Sequence, residues 1–553
     1  MNGVFVTAIS IALLFHQGTK PSTDWELLSK GSAAFARSDW PETISSYKEL
    51  AARTPGNSLF WFRLAEGDRA SLQYQEAITA YQKCADLGDS ASYCRQKIAT
   101  CYAKLGQKAE CLQTLNTMLK AGYWNWAAIE AEPAFEFLKS DPEFLRITGK
   151  DKLANISRDE AWRRDISFLW ERAQFIHYNI GRVTPKAELE KCLTDLSKHV
   201  PTLKDYEIKA ELIRTTTLIG DGHTRVRSAE GRFKNSNYTF NRVPVEFTAF
   251  ADGIYVTASD QQNADLLGAK LEEVSGRAVG AAFDSLKPFV PHDNDMGFQL
   301  YVPRLLSSPE LLAVQGFGSP TETTYKFKPS AGDSFTRTLK PNPDFDKQKV
   351  SVLDQDPQPL PLYMQNRDKP FWMQLLPDGK TMYFGFNEVA NGTQTLEAFV
   401  GELFNEIDRT GAQRLVIDLR FNTGGDATLL RPLMRGLVSR PQLLKVGGLF
   451  VAIGRMTFSA AMICAVELEQ QADAIFIGEP TGSRPNHVGE GTQVNLPYSG
   501  LSFGMSSRYH QVSDFTDNRY WIAPSITVNL SFADFLAKRD PVLEQIMGIP
   551  LPN

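Results

Sequence analysis

Cysteine is scarce, with six residues in a chain of 553. That is too few for the disulfide frameworks that hold small secreted domains together. Basic charge is not in excess either. Lys and Arg total 59 against 64 Asp and Glu, a net charge of −5. The composition therefore supplies no phosphate-neutralising surface, and nucleic acid is excluded as a default partner. Long apolar runs are missing apart from Val4–Phe15, which is shorter than a bilayer span. What is present is ordinary globular material, 42% apolar and 22% charged. At roughly 150 residues per domain the length implies about three or four domains.

Val4–Phe15, followed by polar Gln17-Gly-Thr-Lys-Pro21, has the length of a signal-peptide core. Residues 1–20 are expected to be such a signal, which would place the protein in the periplasm or outside the cell. No Lys or Arg precedes the run, so a retained hydrophobic helix is the alternative. Cys84, Cys94, Cys101 and Cys111 would make two bridges in an exported protein or four small buried helix residues, and the second reading is favoured. Their spacing is not Cys-x-x-Cys, which argues against zinc.

A repeat follows. Tyr47, Tyr81 and Leu115 recur at a fixed period, as do Leu50, Cys84 and Met118, and small Gly31, Ala65 and Ala99. Small residues let paired helices approach while large ones fill the gap between pairs. The pattern resembles tetratricopeptide repeats over residues 24–120, which implies a surface for a partner protein or peptide, or a spacer. Residues 121–150, with Trp124, Trp126 and Pro133-Ala-Phe-Glu-Phe-Leu138, read as the cap of a 24–150 domain. Residues 156–230 read as helices, from the spacing of Trp162, Ile166, Leu169 and Trp170, and end in Gly220-Asp-Gly-His-Thr224. Two glycines around His223 mark a sharp turn with the imidazole at its tip. Residues 240–345 alternate in short β-like runs, then a helix-like stretch from Ala281 to Phe289, in an order that resembles a PDZ-like module. Pro357, Pro359, Pro361 and Pro370 mark residues 346–374 as a linker.

Residues 375–547 alternate near-continuous apolar strands (Thr381–Phe386, Leu415–Leu419, Leu449–Ile453, Ala474–Gly478) with amphipathic helices. That alternation predicts a parallel sheet covered by helices. Ligands in such sheets sit where strand ends open into turns. One turn is Arg420-Phe-Asn-Thr-Gly-Gly-Asp426, whose glycines free backbone N–H groups for an anion or oxyanion. The Lys-Ser or Lys-Thr of a phosphate loop is absent. The other is Gly454-Arg-Met-Thr-Phe-Ser-Ala-Ala461, which puts Ser459 at the tip of an apolar helix as either a nucleophile or an ordinary N-cap. Gly500-Leu-Ser-Phe-Gly504 matches a nucleophile-elbow pattern, but its flanks read as a β-hairpin, so Ser502 is set aside. His292-Asp-Asn-Asp295 reads as a loop and not as a metal site.

Together, Leu415-Val-Ile-Asp-Leu-Arg-Phe-Asn-Thr-Gly-Gly425, Thr457-Phe-Ser-Ala-Ala461, Gly478-Glu-Pro-Thr-Gly482, Gly220-Asp-Gly-His-Thr224 and Arg539-Asp-Pro-Val-Leu543 resemble the C-terminal-processing, or tail-specific, serine peptidases. The histidine turn is similar to the branch that includes tricorn core peptidases. The resemblance implies a multidomain chain: all-α tetratricopeptide repeats, then an α+β peptidase with a PDZ-like region and a crotonase-like α/β catalytic core. It implies peptide-bond hydrolysis through an acyl-enzyme, with no cofactor and no metal, on peptides or unfolded protein tails. Ser459 matches the nucleophile, and the N–H groups of Ala460 and of Gly424 or Gly425 match the oxyanion donors. One branch places a lysine base where this chain has Arg484, which cannot accept a proton. The other uses a histidine, matched by His223, where a serine precedes it in the pattern and Gly222 stands here. The orienting acid is assigned to Asp517, beside Asp514 and ahead of Trp521-Ile-Ala-Pro-Ser525, with His487 and Glu490 as a fallback pair. The departures at Arg484, Gly222 and Ser525 leave one alternative, a peptidase-like scaffold that only binds, and residue types alone leave another, a hydrolase of esters or lactams.

Overall fold

The computed structural model describes residues 22–88, 90–123, 125–150, 156–229 and 240–552. The signal-peptide expectation and Trp124 of the cap lie outside them. The chain divides into two compact units, residues 1–148 and 149–553.

The first unit is a stack of antiparallel helix pairs: α1 (Asp24–Ala36) with α2 (Trp40–Arg53), α3 (Ser58–Ala70) with α4 (Tyr74–Asp86), and α5 (Ala91–Lys104) with α6 (Lys108–Lys120). Local sequence starts each early helix. Thr23 and Glu26 form a capping box on α1, the Asp39 side chain accepts the Glu42 amide at α2, and Asn57 accepts the Leu59 amide at α3. The repeated positions are the ones that meet inside. Tyr47, Tyr81, Leu115, Leu50, Cys84, Met118, Ala65 and Ala99 are all buried, each large side chain contributing about 1.5–3 kcal/mol. A β-carbon on Gly31 would lie 2.9 Å from Ser46 Cβ, so the close approach of α1 and α2 needs glycine there. The end of the stack is covered by α7 (Trp126–Ala131), a 3₁₀ turn at Pro133–Leu138 and α8 (Pro142–Thr148), which bury Phe135, Leu138, Phe144 and Ile147 against Cys111, Leu115 and Met118. Cys84, Cys94, Cys101 and Cys111 are buried thiols that form no disulfide.

The second unit opens with α9 (Arg158–Ile176), α10 (Lys186–His199) and α11 (Asp205–Thr217), then β1 (Arg225–Ala229). A seven-stranded sheet follows in the order β2 (Val245–Phe250), β3 (Gly253–Asp260), β4 (Lys270–Val274), β6 (Thr323–Lys328), β7 (Phe335–Leu339). The short β5 (Arg277–Ala278) pairs with β4 and β8 (Lys349–Ser351) with β3. Helices α12 (Val279–Leu286), α13 (Met296–Leu305) and α14 (Pro309–Val314) lie between β5 and β6 in sequence, and α15 (Phe345–Gln348) precedes β8.

The six-stranded sheet runs β16-β13-β12-β11-β10-β9: β9 (Phe371–Leu375), β10 (Thr381–Phe386), β11 (Arg414–Asp418), β12 (Leu449–Ile453), β13 (Ile475–Gly478), β16 (Ile526–Thr527). All neighbours are parallel except β9 and β10. Its central strands β10, β11 and β12 are buried on both faces, as helix-covered parallel strands must be. One face packs Phe384, Ile417 and Val451 against α16 (Leu396–Thr410), α17 (Arg431–Val438) and α18 (Ala460–Ala472). The other packs Tyr383, Val416 and Phe450 against Val542 and Ile546 of the last helix. Residues 346–374, expected to be a linker, instead supply β8 and β9, so that proline-rich stretch is bound into both sheets. The hairpin of β14 (His487–Asn495) and β15 (Leu501–His510) contains Ser502 within a strand, and β1 pairs with β15. Phe503 and Met505 of this hairpin pack against Trp162 and Leu169 of α9.

Candidate active site

Because β11 and β12 are parallel neighbours, the turns that follow them open at the same edge of the sheet. Buried polar contacts lock them together. Thr457 donates its hydroxyl to the Leu419 carbonyl at 2.8 Å, and the Phe458 amide donates to the Asn422 carbonyl at 3.1 Å. Asn422 donates Nδ2 to the Phe386 carbonyl and accepts the Gly424 amide on Oδ1, both at 2.9 Å. Below the turns, Arg420 bridges Asp418 and Asp540, with 2.8 Å contacts to each Asp540 oxygen. Burial raises the Asp418 carboxyl, but Arg420 and Tyr383 outweigh it and hold it below its ordinary range. The Arg539–Leu543 motif thus contributes Asp540, the second anchor of Arg420.

Ser459 has φ 55° and ψ −125° and its side chain makes no capping hydrogen bond. A residue with a β-carbon at such a φ is strained, at a cost of about 1–3 kcal/mol. The ordinary N-cap, which has an extended backbone and a bonded side chain, does not describe it. Gly424 lies against it: a β-carbon there would come within 2.6 Å of Ser459 Cβ and 2.9 Å of the Ala460 nitrogen. Gly425 has φ 135° and its β-carbon would strike the Val389 carbonyl at 2.2 Å. Among the described residues the amides of Ala460 and Gly425 donate to no partner, whereas that of Gly424 is taken by Asn422. Of the two glycines, Gly425 is therefore the one with a donor to spare.

His223 arrives from another element and meets these turns through Phe458. The two rings stack with centroids 4.4 Å apart at 30°. Its turn is held by backbone clamps. Asp221 Oδ1 accepts the amides of His223 at 2.9 Å and Thr224 at 2.7 Å and the Ser506 hydroxyl at 2.6 Å, while Oδ2 lies 2.9 Å from His177 Nε2. Burial raises this carboxyl, yet His177, Ser506 and the Thr224 amide hold it down to about 2. Neither ring nitrogen of His223 has a hydrogen-bond partner, so the ring touches Phe458, the residue before Ser459, without a hydrogen bond to Ser459 itself. Burial, and next the ring of His487, push the His223 pKa well below its ordinary value, which leaves the imidazole neutral.

Asp517 is not at this histidine. Its carboxylate takes the amide and Nε of Arg519, both at 3.1 Å, because a neighbouring guanidinium outcompetes a distant neutral ring. The fallback pair is also separated. His487 stacks on His223, with centroids 5.7 Å apart, and its Nδ1 donates to the Arg484 carbonyl at 3.1 Å, while Glu490 lies 3.6 Å from His510. Arg484, at the lysine position, donates Nε to the Asp293 carbonyl and covers the Tyr520 ring. Gly222 sits in a tight space, since a β-carbon would lie 2.9 Å from the tip of the Phe458 ring and 3.2 Å from Asp293 Oδ1, so a side chain there would displace them. Among the described residues no cluster is suited to a metal ion. Beside the Ser459 turn, Ile453, Gly454 and Met456 line a cavity of about 270 Å³ together with Phe247, Phe250 and Phe535. Phe458 and Asp293 fall inside Thr457–Ala461 and His292–Asp295, but no spacing in the sequence marks their contacts with the histidine turn.

No family model matches the chain, and no curated protein does. Among solved structures it is similar to mature CPAF complexed with lactacystin, at 15% identity over 70% of this chain and 97% of that one, with a TM-score of 0.47. It is similar also to the photosystem II D1 C-terminal processing protease, at 14% identity over 68% and 94% with a TM-score of 0.32. The tricorn protease matches at 14% identity over 70% of this chain and 36% of its own, with a TM-score of 0.33.

Proposed function

We propose that the chain is an exported serine-type endopeptidase that hydrolyses peptides or protein C-terminal tails through an acyl-enzyme on Ser459. In this reading the six-stranded sheet with its helices is a crotonase-like core, the seven-stranded region is PDZ-like and the helix pairs are tetratricopeptide repeats that recruit a partner or substrate. The observation that carries it is the turn at Ser459: an uncapped hydroxyl at positive φ, flanked by the unpaired amides of Ala460 and Gly425. A hydroxyl freed from capping at a helix tip is available to attack a carbonyl, and two idle amides beside it suit the oxyanion that forms.

His223 is the base. Its neutral ring takes the Ser459 proton as the hydroxyl oxygen bonds to the scissile carbonyl carbon, and returns it to the leaving amine. A water deprotonated the same way then releases the acyl group. The step requires the two groups to reach about 2.6–3.2 Å, as catalytic hydrogen bonds often do only with substrate bound, with the hydroxyl approaching in the imidazole plane, which the stacked Phe458 ring leaves open. The apolar cavity beside the turn suits a substrate side chain. A second reading, a scaffold that binds peptides without cleaving them, is favoured by the bare nitrogens of His223 and by Arg484 at the lysine position. Labelling with a fluorophosphonate separates the two. The peptidase reading expects one adduct, lost in Ser459→Ala, slowed in His223→Ala and unchanged in Ser502→Ala. No adduct, or one that survives Ser459→Ala, supports the scaffold.

A further inference from the structure

The imidazole of His223 has no carboxylate on either nitrogen, so its position rests on the turn that carries it. That turn is held on both flanks. Asp221 takes the amides of His223 and Thr224 from within the turn itself. The remaining amide, that of Gly222, donates to Asp293 Oδ1 at 2.8 Å. Asp293 comes from the segment between α12 and α13, in the β-rich region, and is 6% exposed. Its other carboxylate oxygen accepts the Ser483 hydroxyl at 2.6 Å, and its carbonyl accepts Arg484 Nε at 2.8 Å. The next residue repeats the connection, since Asn294 Nδ2 donates to the Thr481 carbonyl at 3.0 Å and the Tyr520 carbonyl at 2.7 Å. Gly482, between these partners, donates its amide to the Thr457 carbonyl at 3.1 Å, two residues before Ser459. One buried carboxylate therefore joins the histidine turn to the segment that abuts the nucleophile turn.

We infer that Asp293 is the positioning residue for His223, fixing the histidine turn to residues 481–484 and hence to the Ser459 turn. The inference rests on the peptidase reading above. A carboxylate with one oxygen on each turn sets their separation, and loss of one oxygen's contact frees only one side. This also accounts for Gly222, because a side chain there would press on the carboxylate it must bond. Reactions that depend on proton transfer between two turns are sensitive to displacements of about 1 Å, which cost on the order of 100-fold in rate.

The test compares Asp293→Ala, Asp293→Asn, Ser483→Ala and His223→Ala, and the double variant Asp293→Ala/His223→Ala, in the full chain. Two quantities are read: the second-order rate of Ser459 labelling by a fluorophosphonate, and amide hydrogen exchange in the peptide containing Gly220–Thr224. Asp293→Ala is expected to slow labelling about 10–100-fold and to raise exchange in that peptide. Asparagine keeps an acceptor for Gly222 and is expected to stay within about threefold of the parent, with Ser483→Ala between the two. Residues that act through one another do not add, so the double variant is expected to label no more slowly than His223→Ala alone. Parental labelling in Asp293→Ala, or losses that add in full, overturns the inference. If Asp293→Ala does not fold, Ser483→Ala decides, and parental labelling with parental exchange counts against it. If the parent itself is not labelled, the peptidase reading fails, and unchanged exchange in Asp293→Ala separately overturns the clamp.

Discussion

The chemistry assigned to His223 turns on its being dry. A histidine near its ordinary pKa of about 6.5 would lose basicity as the pH falls through that value. Burial, with His487 beyond it, lowers the pKa of this ring, so it stays neutral at pH values where an exposed imidazole is protonated. The rate of Ser459 labelling is accordingly expected to stay flat between pH 8 and pH 6, with its acid limb below 6. A labelling rate that halves near pH 6.5 would mean that the base titrates as an ordinary exposed imidazole and would contradict the lowered pKa of this ring. The placing of Ser459 and His223 at turns was legible in the sequence, because each sits in a short glycine-marked stretch where backbone geometry leaves a local trace. Asp293 was not, because a hydrogen bond between Gly222 and a carboxylate in a distant helix connection has no spacing to read. Asp517 failed for the same reason: proximity in sequence to a motif says nothing about which cation, here Arg519, claims the carboxylate.

At the scale of elements, glycine serves opposite ends. Gly31 in α1 faces Ser46 and Tyr47 at contact distance, whereas Gly401 in α16 is exposed and has nothing within 4 Å of its missing β-carbon. Alanine gains about 1 kcal/mol of helix propensity at either. Gly401→Ala is therefore expected to raise stability by about 0.5–1 kcal/mol, while Gly31→Ala is expected to lower it by about 1 kcal/mol, because crowding of about 1–3 kcal/mol outweighs the gain. Denaturant unfolding measures both. The buried Arg414 is a second element-scale device. It donates to the carbonyls of Gly447, Ile546, Ile549 and Pro550, tying the end of the last helix to the first strand after α16. Arg414→Leu leaves these acceptors bare and is expected to cost about 3 kcal/mol or more. The regular elements were legible where one packing problem recurs, as in the helix pairs, or where a strand is buried on both faces, as in β10 to β12. The stretch 346–374 was not, since prolines beside short edge strands look like a linker until the partner strands are known.

For the whole molecule, acid should weaken the fold through the groups already described. The folded His223 pKa lies below its unfolded value, so the unfolded chain binds a proton that the native one excludes. That contribution is intact above pH 6.5 and is lost as the pH falls below it, by up to about 1.4 kcal/mol per pH unit. Asp221, held at about 2, adds a loss of its own as the pH falls from its ordinary 3.8 toward that value. His223→Gln is expected to flatten the dependence of the denaturation midpoint on pH between 6.5 and 4.5 while leaving the lower Asp221 window in place. An unchanged slope would mean that the ring titrates normally in the native state.

The central claim, that Ser459 is acylated by the substrate it cleaves, is tested most directly by rapid acid quench of the protein with a peptide substrate, followed by mass spectrometry of the digested chain. The expected result is a transient mass increment, equal to the acyl half of the peptide, on the fragment that contains Ser459 and absent from Ser459→Ala. Peptide cleavage with no increment on that fragment, or with the increment on another residue, would contradict it.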